Sequence, residues 1–178
     1  TIHPLPIINF SANSVCHNAV TSFTNNSNIT NGNTITNYVW NFGNSTNSIQ
    51  TNPQVIYTNP GNYVVTLTGT SNNGCVNTGT SAVSVYPNPT ILFTTPNVCL
   101  GNTNAFTNQS NVATGNITSW MWDVNGDGNT DSSSFSPTYT FPNAGTYSVS
   151  LTGITNFNCT KTYSTLVTVN PSPNVSFT

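Results

Sequence analysis

The sequence predicts an all-β chain built from antiparallel β-sandwiches in tandem, and three observations carry that prediction. Short segments alternate apolar and polar residues with a period of two. The same pattern returns after about 84 residues. No segment of ten or more residues keeps the 3.6-residue period of an amphipathic helix.

The elements follow in order. PIINFSANSVC (6–16) opens the first unit and aligns with PTILFTTPNVC (89–99) in the second. TNYVWNF places Tyr38, Trp40 and Phe42 on one face of a strand, and TSWMWDV does the same with Trp120, Trp122 and Val124. Trp40 and Trp122 are expected to anchor the two cores. NPQVIYTNPGNYVVTLTG (52–69) matches SPTYTFPNAGTYSVSLTG (136–153) at an offset of 84. In these strands Tyr63, Val65 and Leu67 face one way and Val64, Thr66 and Thr68 the other. Tyr147, Val149 and Leu151 oppose Ser148, Ser150 and Thr152 in the same manner. SAVSVYP and STLVTVNP close the units as strands. About seven short strands per unit, separated by turn signals, point to a two-sheet sandwich of immunoglobulin type. Tyr63 and Tyr147 each stand at the start of a core strand just after a Gly-containing turn. A hydroxyl bonded back to the backbone there is a known corner device of such sandwiches.

The expected domains are residues 1–87 and 88–171. SPNVSFT (172–178) reads as the opening of a third unit, with Phe177 in the place of Phe10 and Phe93. The chain is therefore read as part of a longer tandem array. The joints YPNPT (86–90) and NPSPN (170–174) each hold two prolines and no glycine, which makes a stiff, extended linker.

Four cysteines fall two per unit at matching places, Cys16 with Cys99 and Cys75 with Cys159. If each unit closes alone, the bridges are Cys16–Cys75 and Cys99–Cys159. Each would close a loop of about 60 residues, worth roughly 4 kcal/mol in the chain-entropy model. Disulfides imply an oxidising compartment, secreted, extracellular or at the cell surface.

Charge narrows the function classes further. The chain carries one basic residue, Lys161, and three acids, against roughly a quarter charged residues in an ordinary soluble domain. One lysine cannot neutralise a phosphate backbone, so nucleic acid is excluded as a partner. No apolar run approaches the roughly 20 residues a membrane helix needs, so no membrane insertion is expected. Net charge near zero favours association. That suits a chain packed against copies of itself and against neighbouring repeats, or a surface coated with sugar. Biased base composition is the alternative source of the Asn-rich, Lys-poor surface. Eight Asn-x-Ser/Thr sequons are no more than this composition yields by chance. They leave glycosylation open.

Taken together, these residues carry a resemblance. WNFGNST, then NPQVIY, then NPGNYVVTLT in the first unit, and WDVNGDGNTD, then SPTYTF, then NAGTYSVSLT in the second, resemble the PKD (polycystic-kidney-disease) domain. Its hallmark is a Trp-Asp-Phe-Gly-Asp-Gly stretch followed by Asn-Pro, an aromatic, Pro-Gly-x-Tyr and an alternating strand. Asn41 and Asn44 depart from the family's usual Asp, and Ala144 replaces its Pro. The added cysteines resemble those of PKD repeats in large secreted bacterial surface proteins and adhesins. The resemblance implies tandem immunoglobulin-like (PKD-type) antiparallel β-sandwiches used as spacer, stalk or adhesive module, without catalysis.

One stretch stands apart. DVNGDGNTD (123–131) holds Asp123, Asp127 and Asp131, the only acids in the chain. Its spacing matches the start of an EF-hand calcium loop, D-x-[DN]-x-[DN]-G. Asp123, Asn125 and Asp127 fall at positions one, three and five. Gly128 permits the turn at six, Asn129 offers a backbone carbonyl at seven, and Asp131 falls at nine. Ser134 stands where the bidentate Glu of an EF-hand would be, so the loop's own set is incomplete. The expected cofactor is calcium in the second unit only, because NFGNSTNSI in the first lacks every carboxylate. The alternative is a polar turn with Asp and Gly chosen for turn chemistry.

Catalysis is not expected. The two His lie in the first unit, the three Asp in the second, and no phosphate loop or nucleophile elbow is present. The leading function is a structural repeat of an extracellular array, a stalk or filament building block. The second is an adhesin module that binds surface glycans. For that reading Phe135, Phe157 and Tyr86 are the aromatics that alternation does not place.

Overall fold

The computed structural model describes residues 2–173, and the chain divides into two compact units, Thr1–Pro87 and Asn88–Thr178. Residues 174–178, most of the stretch read as the start of a third unit, lie outside the described residues.

The first unit contains β1 (Phe10–Ala12), β2 (Val15–Cys16), β3 (Val20–Asn25), β4 (Ile35–Asn41), β5 (Asn47–Ser48), β6 (Gln54–Ile56), β7 (Gly61–Ser71) and β8 (Val76–Tyr86). One sheet runs β2-β8-β7-β4-β5 and the other β1-β3-β6. The second unit contains β9 (Phe93–Thr94), β10 (Val98–Cys99), β11 (Thr103–Ala105), β12 (Thr107–Asn108), β13 (Ile117–Asp123), β14 (Thr138–Thr140), β15 (Gly145–Thr155) and β16 (Thr160–Asn170). Its larger sheet runs β10-β16-β15-β13. The facing layer consists of the pairs β9–β12 and β11–β14. Each unit is thus a two-layer antiparallel sandwich with one short exception. β2 and β10 run parallel to β8 and β16, with Cys16 opposite Tyr86 and Cys99 opposite Asn170.

The alternation read from sequence sets the cores. Trp40, Val65, Leu67 and Val83 are buried from the large sheet, and Phe10 and Phe23 meet them from the small one. The second core uses Trp122, Val149, Leu151 and Val167 against Phe93 and Phe106. Each tryptophan pairs across the sheet with the matching leucine, Trp40 with Leu67 and Trp122 with Leu151. Both also meet a phenylalanine edge-on, at ring-centroid distances of 5.0 and 4.8 Å. That arrangement sets the positive ring edge of one against the negative face of the other. Both indole N–H groups are satisfied at 2.9 Å, by the carbonyls of Gln50 and Ser134.

The tyrosine corners are formed. The Tyr63 hydroxyl donates to the Asn59 carbonyl at 2.8 Å, and Tyr147 donates to Asn143 at 2.9 Å. The buried Tyr57 hydroxyl also donates, to the Phe42 carbonyl at 3.1 Å. Burial first, and the neighbouring Tyr63 second, push its phenol up to about 12. Phe141 takes the same place in the second unit without a hydroxyl.

Chain entry is fixed by a close approach. Gly69 and Gly153 lie two residues before the hairpin-turn ends of β7 and β15, where a Cβ would sit 2.5 Å from Ile8 Cδ1 and Ile91 Cδ1 respectively. Those isoleucines belong to the segments that enter the units, and they pack beside the β7–β8 and β15–β16 hairpins. The chain leaves each unit at the other end, after Tyr86 and Asn170.

The disulfides differ from the expected pairing. Cys16 and Cys159 are disulfide-bonded, while Cys75 and Cys99 are free thiols, so neither Cys16–Cys75 nor Cys99–Cys159 is formed. The reason is strand length. Cys75 precedes β8 and Cys16 lies beside its last residue, 11 residues along. At about 3.3 Å per residue the two are separated by more than roughly 30 Å, where a disulfide needs Cα atoms within about 7 Å. Cys159 and Cys99 stand at opposite ends of β16 in the same way. Matching repeat positions do not reveal at which pole of a sandwich each residue lies.

Candidate functional site

The acid-bearing loop hangs from the end of β13, and Trp122 pins its base. Asp131 N–H donates to the Trp122 carbonyl at 2.7 Å, and Trp122 N–H donates to the Ser132 carbonyl at 2.9 Å. The indole bond to Ser134 holds the loop from the core side. Gly126 (φ 78°) and Gly128 (φ 86°) take the left-handed conformation that the two sharp bends require. Gly126 also passes close to the β15 backbone, where a Cβ would lie 3.1 Å from the Ser148 carbonyl oxygen.

All five expected residues are brought into this one loop. Asp123 accepts from Gly126 N–H at 2.7 Å with one oxygen and from Gly128 N–H at 2.9 Å with the other. Asp131 Oδ2 accepts from Val124 N–H at 2.8 Å. Asn125 Oδ1 accepts from Asp127 N–H at 2.9 Å, and Asp127 Oδ1 accepts from Asn129 N–H at 2.8 Å. The Asn125 amide reaches Asp127 Oδ2 at 3.3 Å and Asp131 Oδ1 at 3.5 Å. The Asn129 backbone amide, helped by the side chains of Asn129 and Asn125, holds the Asp127 carboxyl below its ordinary value of 3.8.

These bonds decide what the site offers a cation. A carboxylate oxygen that accepts one N–H keeps a second lone pair. Among the described residues, no group of three or more His, Cys, Asp or Glu side chains is arranged to hold a metal ion. Carboxylates alone therefore do not make a site here. A cation would draw also on the Asn125 amide oxygen and on backbone carbonyls, the oxygen donors that calcium takes.

A second feature places Phe135, one of the three aromatics that alternation leaves unplaced. Phe135 is 55% exposed and meets Trp120 edge-on at 5.5 Å and 76°. Beside Trp120 lies a groove of about 270 Å³ lined by polar residues that include Ser110, Asn111 and Asn116. Alternation set Trp120 on the inward face, and it does pack against the core edge while remaining half-buried. Phe157 and Tyr86 are half-buried. Phe135 has no apolar neighbour in its own segment, SSSFSPT, which is why alternation leaves it unplaced.

Two sandwiches of immunoglobulin-like architecture, each with a Trp-anchored core and a tyrosine corner, define a class of β-module. The PKD domain family model matches residues 3–85 and 86–169, and the chain belongs to that family. It is similar to the PKD1 domain of Vibrio anguillarum Epp, with 31% identity over 47% of this chain and 96% of that one, at a TM-score of 0.44. It is also similar to the PKD1 domain of the Vibrio cholerae metalloprotease PrtV, with 30% identity over 47% of this chain and 98% of that one, at a TM-score of 0.41. The fibronectin(III)-like modules of Clostridium thermocellum CbhA align over 98% of this chain and 100% of theirs, at 12% identity and a TM-score of 0.45. A search of curated proteins finds no match. PKD domains occur in extracellular bacterial proteins and are typically non-catalytic modules for structure or adhesion. The presence of a disulfide fits an oxidising environment. Among the described residues no helix is long and apolar enough to cross a membrane.

Proposed function

We propose that the chain is a structural repeat of an extracellular tandem array, a semi-rigid stalk or the building block of a cell-surface filament, and not an enzyme. One observation carries the reading. Within each unit the chain enters beside the long hairpin, where Ile8 and Ile91 fill the space over Gly69 and Gly153, and leaves at the opposite pole. A module threaded from pole to pole adds its length to an array instead of folding back. Pro-rich joints are stiff and extended, which suits such an array. The near absence of charge removes the repulsion that would oppose packing of copies side by side. Small-angle scattering of the intact chain tests the reading. An elongated particle whose length approaches two modules end to end supports it, and a compact particle contradicts it.

Calcium enters as a structural ion of the second unit, held by Asp123, Asn125, Asp127, Asn129 and Asp131. Three acids gathered in an otherwise acid-free chain support it, and so does the mixed carboxylate, amide and carbonyl donor set. A calcium titration followed by calorimetry tests it. Heat of binding lost in Asp123→Asn is expected, and no heat in the parent chain would rule the ion out. The adhesin reading keeps one specific support, the exposed Phe135 edge-on to Trp120, whose own ring borders a groove with Asn111 and Asn116. The rings are not coplanar, so the face offered to a sugar is that of the exposed Phe135 ring alone. Binding to polysaccharide that disappears in Phe135→Ala would favour that second reading.

A further inference from the structure

We propose that Cys75 and Cys99 are the two halves of a head-to-tail covalent joint, in which Cys99 of one copy of this chain forms a disulfide with Cys75 of a second copy. The proposal rests on the structural-array reading and specifies its partner and its bond.

The poles of the sandwich sort the cysteines into two kinds. Cys75 and Cys159 are entry-pole cysteines. Each closes the turn of a long hairpin, with Ser71 N–H donating to the Cys75 carbonyl and Thr155 N–H to the Cys159 carbonyl, both at 2.9 Å. The hydroxyls of the same two residues accept from the Cys75 and Cys159 N–H groups at 3.1 and 3.0 Å. Cys16 and Cys99 are exit-pole cysteines, each beside the last residue of a closing strand and each capped by a turn, Ala19 N–H to Cys16 and Asn102 N–H to Cys99.

One member of each kind is disulfide-bonded, Cys16 at an exit pole and Cys159 at an entry pole. Their structural equivalents, Cys99 and Cys75, are free thiols. The two repeats therefore compare like positions in two states, and both positions accept a disulfide in this fold. Strand length excludes a bridge within either unit. Cys99 is exposed and Cys75 half-buried, so both are within reach of another molecule. No charged side chain occurs in the first unit, so the entry pole that carries Cys75 presents no side-chain charge to repel the acid-bearing second unit of an approaching copy.

One free thiol of each kind gives the joint a direction. An exit pole that meets an entry pole is a heterologous contact, and a heterologous contact that does not close into a ring grows as an open polymer. The chemistry is a two-electron oxidation. The Cys99 and Cys75 thiols lose two protons and two electrons and form one S–S bond. A disulfide of the glutathione or thiol-oxidoreductase class accepts the electrons and leaves as two thiols.

The test uses the intact chain in a buffer of oxidised and reduced glutathione, read by non-reducing electrophoresis. A ladder of multimers that collapses under reductant is expected. Mass spectrometry after chymotrypsin should recover a linked Cys75–Cys99 peptide, since Lys161 leaves trypsin a single cut. Cys75→Ser and Cys99→Ser should each abolish the ladder, and an equimolar mixture of the two variants should give a dimer and nothing larger. A chain that stays monomeric with both thiols open to maleimide would overturn the proposal. So would Cys99–Cys99 or Cys75–Cys75 dimers, or a Cys75–Cys99 bridge inside one chain. If filaments persist in reductant while gels show only monomer, the array reading stands and the covalent joint falls.

Discussion

The two units differ most where their cores agree most, at the turn that follows the buried tryptophan. In the first unit Asn41 Oδ1 accepts from Gly43 N–H at 2.9 Å, and Asn44 Oδ1 accepts from Thr46 N–H at 3.1 Å. In the second unit Asp123 and Asp127 do the same work for Gly126 and Asn129. Gly43 and Gly126 share φ values of 77° and 78° and face equivalent residues of the long strands, Val64 and Ser148. The indole N–H of Trp40 finds a carbonyl 10 residues on, and that of Trp122 finds one 12 residues on. The second loop is thus two residues longer and carries three charges where neutral amides suffice. Turn chemistry explains the side-chain oxygens in both units, and it leaves the charge in the second unit without a purpose of its own. Three like charges within nine residues repel one another, and a bound cation would relieve that repulsion.

That contrast can be broken at several points. The largest effect is expected at what the units share. Trp40→Ala and Trp122→Ala should each destabilise their own unit by about 3–5 kcal/mol, read by hydrogen exchange of peptides from each unit of the intact chain. Only Trp122→Ala should also release the 123–131 loop. An effect of Trp40→Ala that spread equally to both units would show that they do not unfold independently.

Calcium should separate the units next. At a concentration 100 times its dissociation constant, an ion bound only by the folded state adds about 2.7 kcal/mol. Protection should rise in the second unit alone, and the double variant D123N/D131N should lose the response while keeping its fold. Asn already serves at position 41, so the neutral amides can support the turn.

The glycines come third. Gly43→Ala places a Cβ 2.7 Å from the Val64 carbonyl oxygen, tighter than the 3.1 Å that Gly126→Ala meets at Ser148. The left-handed backbone alone costs about 1–2 kcal/mol for a residue with a Cβ. Denaturant melts should therefore show both variants destabilised, Gly43→Ala the more. Tyr57→Phe removes a hydrogen bond that Phe141 shows to be dispensable, so a loss of about 1 kcal/mol is expected in the first unit. The smallest effect is that of pH. Because the Asp127 carboxyl titrates below 3.8, its contribution is present above that value and is lost as pH falls through its depressed folded value. Loop amides should lose protection there, while the turn at residues 41–47 stays unchanged.

The cores were legible because alternation reports burial directly. Trp40, Leu67, Trp122 and Leu151 needed only a period of two and a repeat to be placed, and the tyrosine corners needed only a neighbouring turn. The five loop residues were legible as a spacing, since a nine-residue loop keeps its own order in space. The disulfides were not. Pairing depends on which pole of a strand each cysteine occupies, and a repeat offset is silent on that. The contact of Trp120 with Phe135, an aromatic that alternation leaves unplaced, was not legible for a related reason. A strand that reaches the edge of its sheet leaves an inward-facing ring only half covered, and sequence does not mark the edge.

Electron microscopy of the native material that carries this chain tests the central claim most directly. The account predicts ordered filaments or stalks whose axial repeat matches the length of these sandwiches. Compact, isolated particles with no such repeat would contradict it.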